Sequence, residues 1–289
     1  MSWTNYHGHS RYCDGKGEVE EYIKKAKELN MRVLGISSHA PVPFDTDWTM
    51  PKLKLPDYLS EMEDLKRKYN NDEFTLLKSL EVDYIPDLMG AAHPDIVSAN
   101  LDYVVGSVHY AGIFDSGQRW SIDNTEEEFA KGIEEIYGGD VSKAFYQYFN
   151  IEMEMCDSQP PHIIGHSDKV KMHNIHKPYF DEKSRKYLSL VYDLLKLTVE
   201  KDIIVEINTK YFFARNLLFP GKEHFKWMKD NKVKVTINSD AHNPEALVTA
   251  FPEVAEMLLD AGYKELWEWD GKVFAPFGFN KNGIFFNEK

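Results

Sequence analysis

The sequence predicts an α/β fold in which seven strand–helix pairs form one parallel barrel. Three observations support this prediction. Short apolar runs of strand character alternate along the chain with longer segments of helical period. No break in composition and no low-complexity segment divides the 289 residues into two parts. Successive apolar runs end in histidine or carboxylate side chains, as in a barrel whose strands all end on one functional face. We therefore expect one domain that covers residues 1–289.

The predicted strands are short runs rich in Val, Ile and Leu. They cover residues 3–10, 32–39, 74–82, 101–109, 162–166, 203–208 and 233–240. The first contains His7-Gly8-His9, and the last ends in Asp240-Ala241-His242. Residues two apart on a strand point to the same side, so each pattern presents two side chains together. Gly8 lets the backbone come close to a bound ion or ligand.

The predicted helices have apolar residues every three or four positions. They cover residues 18–30, 57–69, 94–100, 184–200, 223–230 and 244–262, and one more begins near Thr125. The first starts with glutamates, which favour the positive end of the helix dipole. Residues 110–124 are predicted as a loop. The tail after residue 262 is rich in Trp and Phe, and we expect it to pack over one end of the fold.

Charge and composition limit the class of function. The net charge is −13 and no block of Lys and Arg stands out, so no duplex nucleic acid is expected as a partner. The two cysteines, Cys13 and Cys156, form no CxxC pattern, and no signal peptide is recognised. No apolar run reaches the 18 residues typical of a membrane helix. We expect a soluble, cytoplasmic protein, and its oligomeric state is left open.

Side chains of the metal-ligand type stand at the ends of six of the seven predicted strands. They are His7, His9, His39, Glu81, His109, His166, Asp240 and His242. A single histidine in such a place is usually structural. Eight buried polar groups at one end of a barrel are costly unless something pairs with them, which favours a metal site.

The number of ligands predicts the number of ions. One zinc-like ion takes about four protein ligands, or three and a water molecule. Eight or nine ligands therefore predict two or three divalent ions, with a bridging carboxylate. Two ions about 3.5–4 Å apart are typical of phosphoryl hydrolysis, because they hold the substrate oxygen and lower the pKa of a water molecule.

The strand-end motifs as a set resemble those of the PHP (polymerase and histidinol phosphatase) superfamily. They are His7-Gly8-His9-Ser10, Ser38-His39, Leu80-Glu81-Val82-Asp83, Gly106-Ser107-Val108-His109, Gly165-His166-Ser167-Asp168 and Ser239-Asp240-Ala241-His242. The resemblance runs from residue 7 to residue 242. It implies a distorted (β/α)7 barrel, similar to a TIM barrel, with up to three ions of zinc, manganese or iron.

The resemblance also implies which residues hold each ion. His7, His9, Glu81 and Asp240 would hold the first, and Glu81, His109 and His166 the second. His39 and His242 would hold the third with a ligand from the first loop. Many relatives have a histidine in that loop, whereas this chain has Asp14.

A phosphate ester also needs cationic side chains near the metals. Arg119 and Arg215 follow predicted strands at the correct end of the barrel and are candidates for bidentate phosphate contacts. Glu206 is a candidate to bind an ammonium group of the substrate, and the alternative is a structural ion pair. Asp240 and His242 are candidate proton sources for the leaving alkoxide, while Arg119 would neutralise phosphoryl oxygens.

The remaining histidines fall in helices, loops or strand beginnings, and we expect them to be structural or solvated. They are His93, His162, His173, His176 and His224.

Within the superfamily, the chain length and the strand with Glu206-Ile207-Asn208-Thr209 are most similar to stand-alone histidinol-phosphatases. This similarity implies hydrolysis of L-histidinol phosphate in histidine biosynthesis. Two alternatives stay open. One is a PHP phosphoesterase that acts on a small nucleotide or a cyclic phosphodiester, and the other is a metal-binding protein without catalysis. The native metal, the occupancy of the third site and the kinetic constants are also left open.

Overall fold

The computed structural model describes residues 1–175 and 178–286, and it has an α/β fold. The strands are β1 Thr4–Asn5, β2 Val33–Ile36, β3 Thr75–Lys78, β4 Glu81–Asp83, β5 Val105–Ser107, β6 Tyr110–Ile113, β7 Arg119–Ser121, β8 Ile163–Ile164, β9 Ile204–Asn208, β10 Val235–Asn238, β11 Glu265–Trp269, β12 Phe274–Asn280 and β13 Gly283–Ile284. The helices are α1 Val19–Glu28, α2 Leu55–Tyr69, α3 Pro94–Ser98, α4 Glu126–Tyr137, α5 Val141–Ser158, α6 Arg185–Glu200, α7 Phe212–Arg215, α8 Phe225–Asp230 and α9 Phe251–Asp260.

Two parallel sheets form the centre of the molecule. One has the order β1-β2-β3, and the other has the order β10-β9-β8-β5-β4. The sheets meet at two parallel bridges, Gly8 with Ala241 and His39 with Glu81. Strand–helix alternation therefore predicted the parallel pairing and the neighbouring strands correctly.

The predicted strand 74–82 is divided into β3 and β4, which lie in different sheets. β3 pairs with β2, and β4 pairs with β5. At the break, the amide of Ser79 donates to the carbonyl of Ile36, and its hydroxyl donates to the carbonyl of Tyr103 at 2.9 Å. The polar groups of Ser79 at the break therefore have hydrogen-bond partners. The change of sheet places Glu81 where the two sheets meet.

Helix boundaries follow the capping signals in the sequence. Before α1, Glu18 and Glu21 form a reciprocal capping box. Ser184 caps α6, because its side chain accepts a hydrogen bond from the amide of Tyr187. The predicted helix 244–262 is only partly correct, since a 3-10 turn and Ala250 with φ of 58° precede α9.

The segment between β5 and β8 is more ordered than predicted. Residues 110–124 are not a simple loop, since β6 and β7 pair as an antiparallel hairpin. The helix predicted from Thr125 consists of two helices. Gly138 ends α4 in the left-handed region, with φ of 62°, and the side chain of Asp140 caps α5. The short helix α7 was also not predicted.

The aromatic tail packs against the end of the parallel sheets that lies opposite the strand-end histidines. Buried side chains in and next to the parallel strands, among them Tyr6 after β1 and Tyr103 before β5, form a cluster against which Trp267, Trp269 and Phe274 pack. In β11, Glu268 is buried and accepts hydrogen bonds from the hydroxyls of three residues on two segments, Thr4 and Tyr6 at β1 and Thr236 in β10. The predicted position of the tail is confirmed. Among the described helices, none has both the length and the apolar character needed to cross a membrane.

Candidate metal centre

The strand-end ligand candidates converge at one end of the parallel strands. His7, His9, His39, Glu81, His109, His166 and Asp240 are all buried. The side chains of His242 and Asp14 are 21% and 32% exposed, so this pair lies at the edge of the cluster. The prediction that these residues come together is therefore supported by their positions.

Three groups within the cluster have the spacing of metal ligands. In each group, one ligand atom from every residue lies within 4.8 Å of the others. The groups are His7, His9 and Asp240; Glu81, His109 and His166; and His9, Asp14, His39 and His242. The third group includes His9, which the resemblance assigns only to the first ion.

Glu81 lies at the centre of these groups. Its Oε2 is 3.1 Å from Nε2 of His7 and 3.0 Å from Nδ1 of His39. Its Oε1 is 3.0 Å from Nε2 of His166 and accepts a hydrogen bond from the Ser107 hydroxyl at 2.6 Å. One oxygen thus faces the first and third groups, and the other faces the second. This is the geometry that a bridging carboxylate needs.

Unpartnered nitrogens supply an independent test of whether the residues fit metal ions. Within residues 1–175 and 178–286, no hydrogen-bond partner is found for three buried nitrogens of the cluster, Nε2 of His7, Nε2 of His9 and Nδ1 of His39. Each lies 3.0–3.4 Å from Glu81 Oε2, yet none is aligned to donate to it. Buried polar nitrogens without partners are costly, and imidazole nitrogens with carboxylate oxygens are ligands that zinc, iron and manganese accept. The donor set fits divalent metal ions.

The local electrostatics favour the ligand forms of most of these groups. Burial opposes ionisation of Glu81, but the nearby imidazoles of His39 and His7 outweigh it and hold the pKa of Glu81 well below its usual value. Burial together with the neighbouring imidazoles of His242 and His39 lowers the pKa of His9 well below 6.5. Burial and the nearby Lys169 lower the pKa of His166 to about 4. Ionised carboxylate and neutral imidazole are the forms that bind metal ions.

His7 and His109 differ from His9 and His166 in the direction of their pKa shifts. Burial would lower the pKa of His109, but the Asp83 carboxylate outweighs it and raises that pKa above 6.5. The shift is larger at His7. Burial alone would lower its pKa, but the carboxylates of Glu206, Glu81 and Asp240 raise it well above 6.5. The centre around His7 therefore attracts positive charge strongly. A divalent cation would supply that charge.

Two ligand candidates have strained backbones. The φ angles of His166 and Asp240 are 25° and 46°, in the left-handed region that residues with a Cβ rarely adopt. Both residues lie two positions after the end of a parallel strand, His166 after β8 and Asp240 after β10. Strain of this kind is commonly found at functional sites, and here it turns two ligands toward the centre.

Glu206 does not line the cavity, which corrects the expectation that it binds an ammonium group of the substrate. It is fully buried behind His7, and its Oε2 accepts a hydrogen bond from Nδ1 of His7 at 2.7 Å. The alternative of a structural partner describes its position better. Asp83 has the same relation to His109, with Oδ1 2.7 Å from Nδ1. Asp83 lies two residues after Glu81 on the same strand, and no site role is predicted for it from the sequence.

A cavity of about 660 Å³ opens above the ligand cluster. Its walls include metal-ligand candidates, two lysines, several aromatic side chains and several carboxylates. Lys169 and Lys210 were not predicted. Nζ of Lys169 is 3.3 Å from Nε2 of His109, and Nζ of Lys210 is 3.3 Å from Nε2 of His242. Lys210 lies two residues after β9 and Lys169 five residues after β8, but a position after a strand does not by itself single out a lysine.

The two predicted arginines lie in different environments. Arg119 lines the cavity, and its guanidinium lies 5.3 Å from the centre of the Phe44 ring. Arg215 is exposed at the end of α7 and stacks on Tyr211 at 5.0 Å. Tyr211 lines the cavity, but Arg215 is not one of the lining residues. The structure therefore brings Arg119 to the site and leaves Arg215 outside its wall.

The other histidines have structural positions where the structure describes them. His93 caps α3 by accepting a hydrogen bond from the amide of Asp95, and His162 accepts one from the amide of Val104. His173 and His224 are buried. His176 lies outside the described residues. Burial raises the pKa of the Cys13 thiol to about 11, so Cys13 is not a reactive thiolate at neutral pH.

Known proteins resemble this chain over most of its length. A probable histidinol-phosphatase of Schizosaccharomyces pombe is 25% identical over 253 residues, which is 82% of this chain and 80% of the relative. A probable histidinol-phosphatase of Deinococcus radiodurans is 24% identical over 262 residues, which is 89% of this chain and 92% of the relative.

Two solved structures share the fold. One is a putative histidinol phosphatase from Listeria monocytogenes, with a TM-score of 0.71 and 21% identity over 84% of this chain and 96% of that one. The other is a histidinol phosphate phosphatase from Lactococcus lactis, solved with zinc, L-histidinol and phosphate. Its TM-score is 0.66, with 18% identity over 98% of this chain and 99% of that one. The model of the PHP domain matches residues 5–210, a span that includes seven of the strand-end and first-loop ligand candidates. Because this match covers most of the chain and includes most of the ligand cluster, the chain belongs to the PHP domain family.

Proposed function

We propose that this protein is a metal-dependent phosphatase that hydrolyses L-histidinol phosphate to L-histidinol and phosphate. The observation that carries the proposal is the arrangement of the cavity. A cluster of metal-ligand side chains around Glu81 forms its floor, and lysines for a phosphate stand beside that cluster. The relatives named as probable histidinol-phosphatases, and the Lactococcus lactis structure with zinc, histidinol and phosphate, support the choice of substrate.

We infer that the two parallel sheets form one distorted (β/α)7 barrel. β3 and β4 count as one broken strand, so the parallel strands β1, β2, β3/β4, β5, β8, β9 and β10 occupy seven positions. The bridges between Gly8 and Ala241 and between His39 and Glu81 support closure of this ring. A barrel places the ligand cluster at the C-terminal ends of the strands, where active sites of such folds lie.

We assign two or three divalent ions of zinc, manganese or iron to the centre. His7, His9, Glu81 and Asp240 would hold one ion, and Glu81, His109 and His166 a second. Asp14, His39 and His242 would hold a third, with His9 near enough to share it. Bound ions of this kind polarise phosphoryl oxygens and lower the pKa of water, which supplies the nucleophile of a hydrolysis.

Lys169 and Lys210 would bind the phosphoryl oxygens. Lys169 is buried, and burial alone would lower the pKa of its ammonium group. The adjacent carboxylates, Asp123 above all, raise that pKa above its usual value, so Lys169 remains charged. Lys210 contacts Asp240 Oδ1 at 3.2 Å. Arg119 is a third cation on the cavity wall. Positive groups fixed before substrate binds stabilise charge that develops on phosphate during transfer.

The outer part of the cavity would bind the organic half of the substrate. The Trp48 ring stacks on Tyr110 at 5.9 Å, and Phe44 packs edge-on against Tyr110 at 5.3 Å. Asp45 and Asp47 belong to the same loop as Phe44 and Trp48 and also line the cavity. An aromatic wall with carboxylates suits a ring that carries an ammonium group nearby, as in histidinol.

Asp240 and His242 lie where the leaving alkoxide would form. Burial opposes ionisation of Asp240, but Lys210 and His7 outweigh it and hold the pKa of Asp240 well below its usual value, so Asp240 carries no proton at neutral pH and His242 remains the candidate proton source. His242 is partly exposed toward the cavity, and its Nδ1 lies 3.3 Å from Oδ1 of Asp240. Lys210 is beside both residues, so it would also hold a positive charge where the alkoxide forms.

A comparative assay of phosphate release tests this function. The metal-loaded protein is given histidinol phosphate, a phosphomonoester without an amine, a nucleotide and a cyclic phosphodiester at equal concentrations. We expect the highest kcat/KM for histidinol phosphate. Preference for the nucleotide or the cyclic diester would favour the other PHP phosphoesterase function. No turnover of any ester by protein with verified metal content would favour a binding protein without catalysis.

A further inference from the structure

Glu206 contacts residues that belong to three different strand ends. Its Oε2 accepts a hydrogen bond from Nδ1 of His7 at 2.7 Å, after β1. Its Oε1 accepts one from the backbone amide of His166 at 3.3 Å, after β8. Asn208 donates from Nδ2 to Glu206 Oε1 at 2.7 Å and lies 3.3 Å from Asp240 Oδ2, after β10. One carboxylate is thus linked to ligand candidates of two metal groups.

We propose that Glu206 is a positioning residue that couples the two groups, so that its loss weakens metal binding at both. The first group is His7, His9 and Asp240, and the second is Glu81, His109 and His166. This role concerns the metal centre and does not depend on which phosphoester is the substrate.

The hydrogen-bond polarity around Glu206 supports the proposal. Four N–H groups point at its two oxygens, because Asn238 donates from Nδ2 to Oε2 at 2.9 Å in addition to the three donors above. An ionised carboxylate is an acceptor only and satisfies all four. In the neutral, metal-binding form of His7, the contact of Glu206 with Nδ1 fixes the tautomer, so that the proton is on Nδ1 and the lone pair is on Nε2. Nε2 is the atom that faces Glu81 at 3.1 Å.

Strand register explains why these contacts are possible. Glu206 pairs with Thr236 and Asn208 pairs with Asn238 in the parallel ladder of β9 and β10. Residues two apart on a strand point to the same side, so Glu206 and Asn208 project together toward the neighbouring strand end. All these side chains are buried, and no solvent can replace a lost partner.

The replacement Glu206→Gln keeps the shape of the side chain but reverses part of its polarity. The new amide brings two N–H groups into a ring of donors, so at least one contact becomes donor against donor. His7 must then rotate or change tautomer, and the links to His166 and Asp240 are weakened. Loss of an outer hydrogen-bond partner of a metal ligand typically lowers metal affinity about 10- to 100-fold.

Glu268 is a matched control for this experiment. Like Glu206, it is a fully buried glutamate that accepts hydrogen bonds from other segments of the fold. It lies in β11, in the aromatic tail and away from the ligand cluster. The hydroxyl groups that donate to it, those of Thr4, Tyr6 and Thr236, do not belong to ligand candidates. Glu268→Gln therefore tests the general effect of removing a buried carboxylate from this chain.

Wild-type protein, Glu206→Gln and Glu268→Gln are each loaded with Co²⁺ and titrated with a competing chelator. The absorption spectrum of protein-bound Co²⁺ reports how much metal remains bound. Circular dichroism is used to confirm folding. We expect Glu206→Gln to lower the affinity of at least two ions about 10-fold or more and to change the absorption spectrum. Glu268→Gln should keep both properties. Unchanged affinities in folded Glu206→Gln would overturn the proposal, and so would weakening of a single ion.

Asn208→Ala keeps the test decisive if Glu206→Gln fails to fold. It retains the Glu206 charge and its contact with His7, but it removes the link to Asp240. We expect weaker Co²⁺ binding than in wild-type protein, by a smaller factor than the full loss of Glu206. Wild-type affinities at every ion in Asn208→Ala would contradict the coupling.

Discussion

Lys169 and Asp123 form an ion pair on the cavity wall, with Nζ of Lys169 2.8 Å from Oδ2 of Asp123. Asp123 follows the β6–β7 hairpin, and Lys169 follows β8, so the pair joins two segments distant in sequence. Burial disfavours the charge of Asp123, but Lys169 and His109 outweigh it and lower its pKa. Both groups therefore remain charged at neutral pH, and the pair holds the ammonium group beside His109.

Replacement of Lys169 by Met should impair catalysis without removing metal. A charged hydrogen bond to phosphate is worth about 1.5–3 kcal/mol, so we expect kcat/KM to fall roughly 10- to 100-fold or more. Metal content, measured by elemental analysis, should remain that of the wild type. Lys226→Met is the control, because Lys226 pairs with Asp230 on an exposed surface. Equal rates for the Lys169 variant and the control would remove Lys169 from the phosphate site.

Arg119 and Arg215 should differ in their effects on catalysis, although their sequence positions made them equivalent candidates. Arg119 lines the cavity, whereas Arg215 stacks outside it on Tyr211. We expect Arg119→Ala to reduce kcat/KM about tenfold or more and Arg215→Ala to change it by less than about threefold. Steady-state kinetics of both variants with histidinol phosphate provide the comparison. A larger loss for Arg215→Ala would mean that its loop closes over bound substrate.

The carboxylates of the outer cavity should act on substrates that carry an ammonium group. We expect the double variant Asp45→Asn, Asp47→Asn to raise KM for histidinol phosphate, because it removes two negative charges near the aromatic wall. A phosphomonoester without an amine is the control substrate, and its KM should stay the same or fall. Similar increases in KM for both substrates would contradict a role in recognising the ammonium group.

Glu268 should make the stability of the fold depend on pH. Burial raises its pKa to about 7, and the hydroxyls of Thr4, Tyr6 and Thr236 only partly offset this. The pKa of Glu268 in the folded protein is therefore higher than in the unfolded chain. The protonated carboxyl contributes stability that is fully present below about pH 4.5 and is lost as the pH rises through about 7. Between pH 5 and pH 8, we expect the free energy of unfolding of the wild-type protein to fall by about 2–3 kcal/mol relative to that of Glu268→Gln.

Urea unfolding of wild-type protein and Glu268→Gln at both pH values measures that difference, since other titrating groups are common to the two proteins. A constant difference across the pH range would show that Glu268 does not titrate in this window.

Much of the ligand cluster could be predicted because parallel strands place their ends at one face. His39, Glu81, His109 and His166 each end or follow an apolar run, so their meeting follows from the α/β pattern alone. The aromatic tail was predictable for a similar reason, since exposed Trp and Phe side chains need an apolar surface.

The cationic residues and the role of Glu206 could not be predicted in the same way. Lysines are usually exposed, and no local pattern indicates that Lys169 folds inward against His109. Glu206 lies two residues before the end of β9, and depth along the strand decides whether a carboxylate faces the cavity or supports a ligand from behind. That depth depends on the lengths of the neighbouring strands. The predicted strands 3–10 and 162–166 are longer than β1 and β8 in the structure.

Removal and restoration of metal show whether hydrolysis depends on the ligand cluster around Glu81. Phosphate release from histidinol phosphate is measured with protein as purified, after chelation with verified loss of metal, and after addition of Zn²⁺, Mn²⁺, Co²⁺ or Fe²⁺. Glu81→Gln is carried in parallel, because it keeps the shape of the central side chain but not the charge shared between the ligand groups. We predict loss of activity on chelation, recovery with at least one of the ions, and low activity with reduced metal content in Glu81→Gln. Full activity of verified metal-free protein would contradict the account.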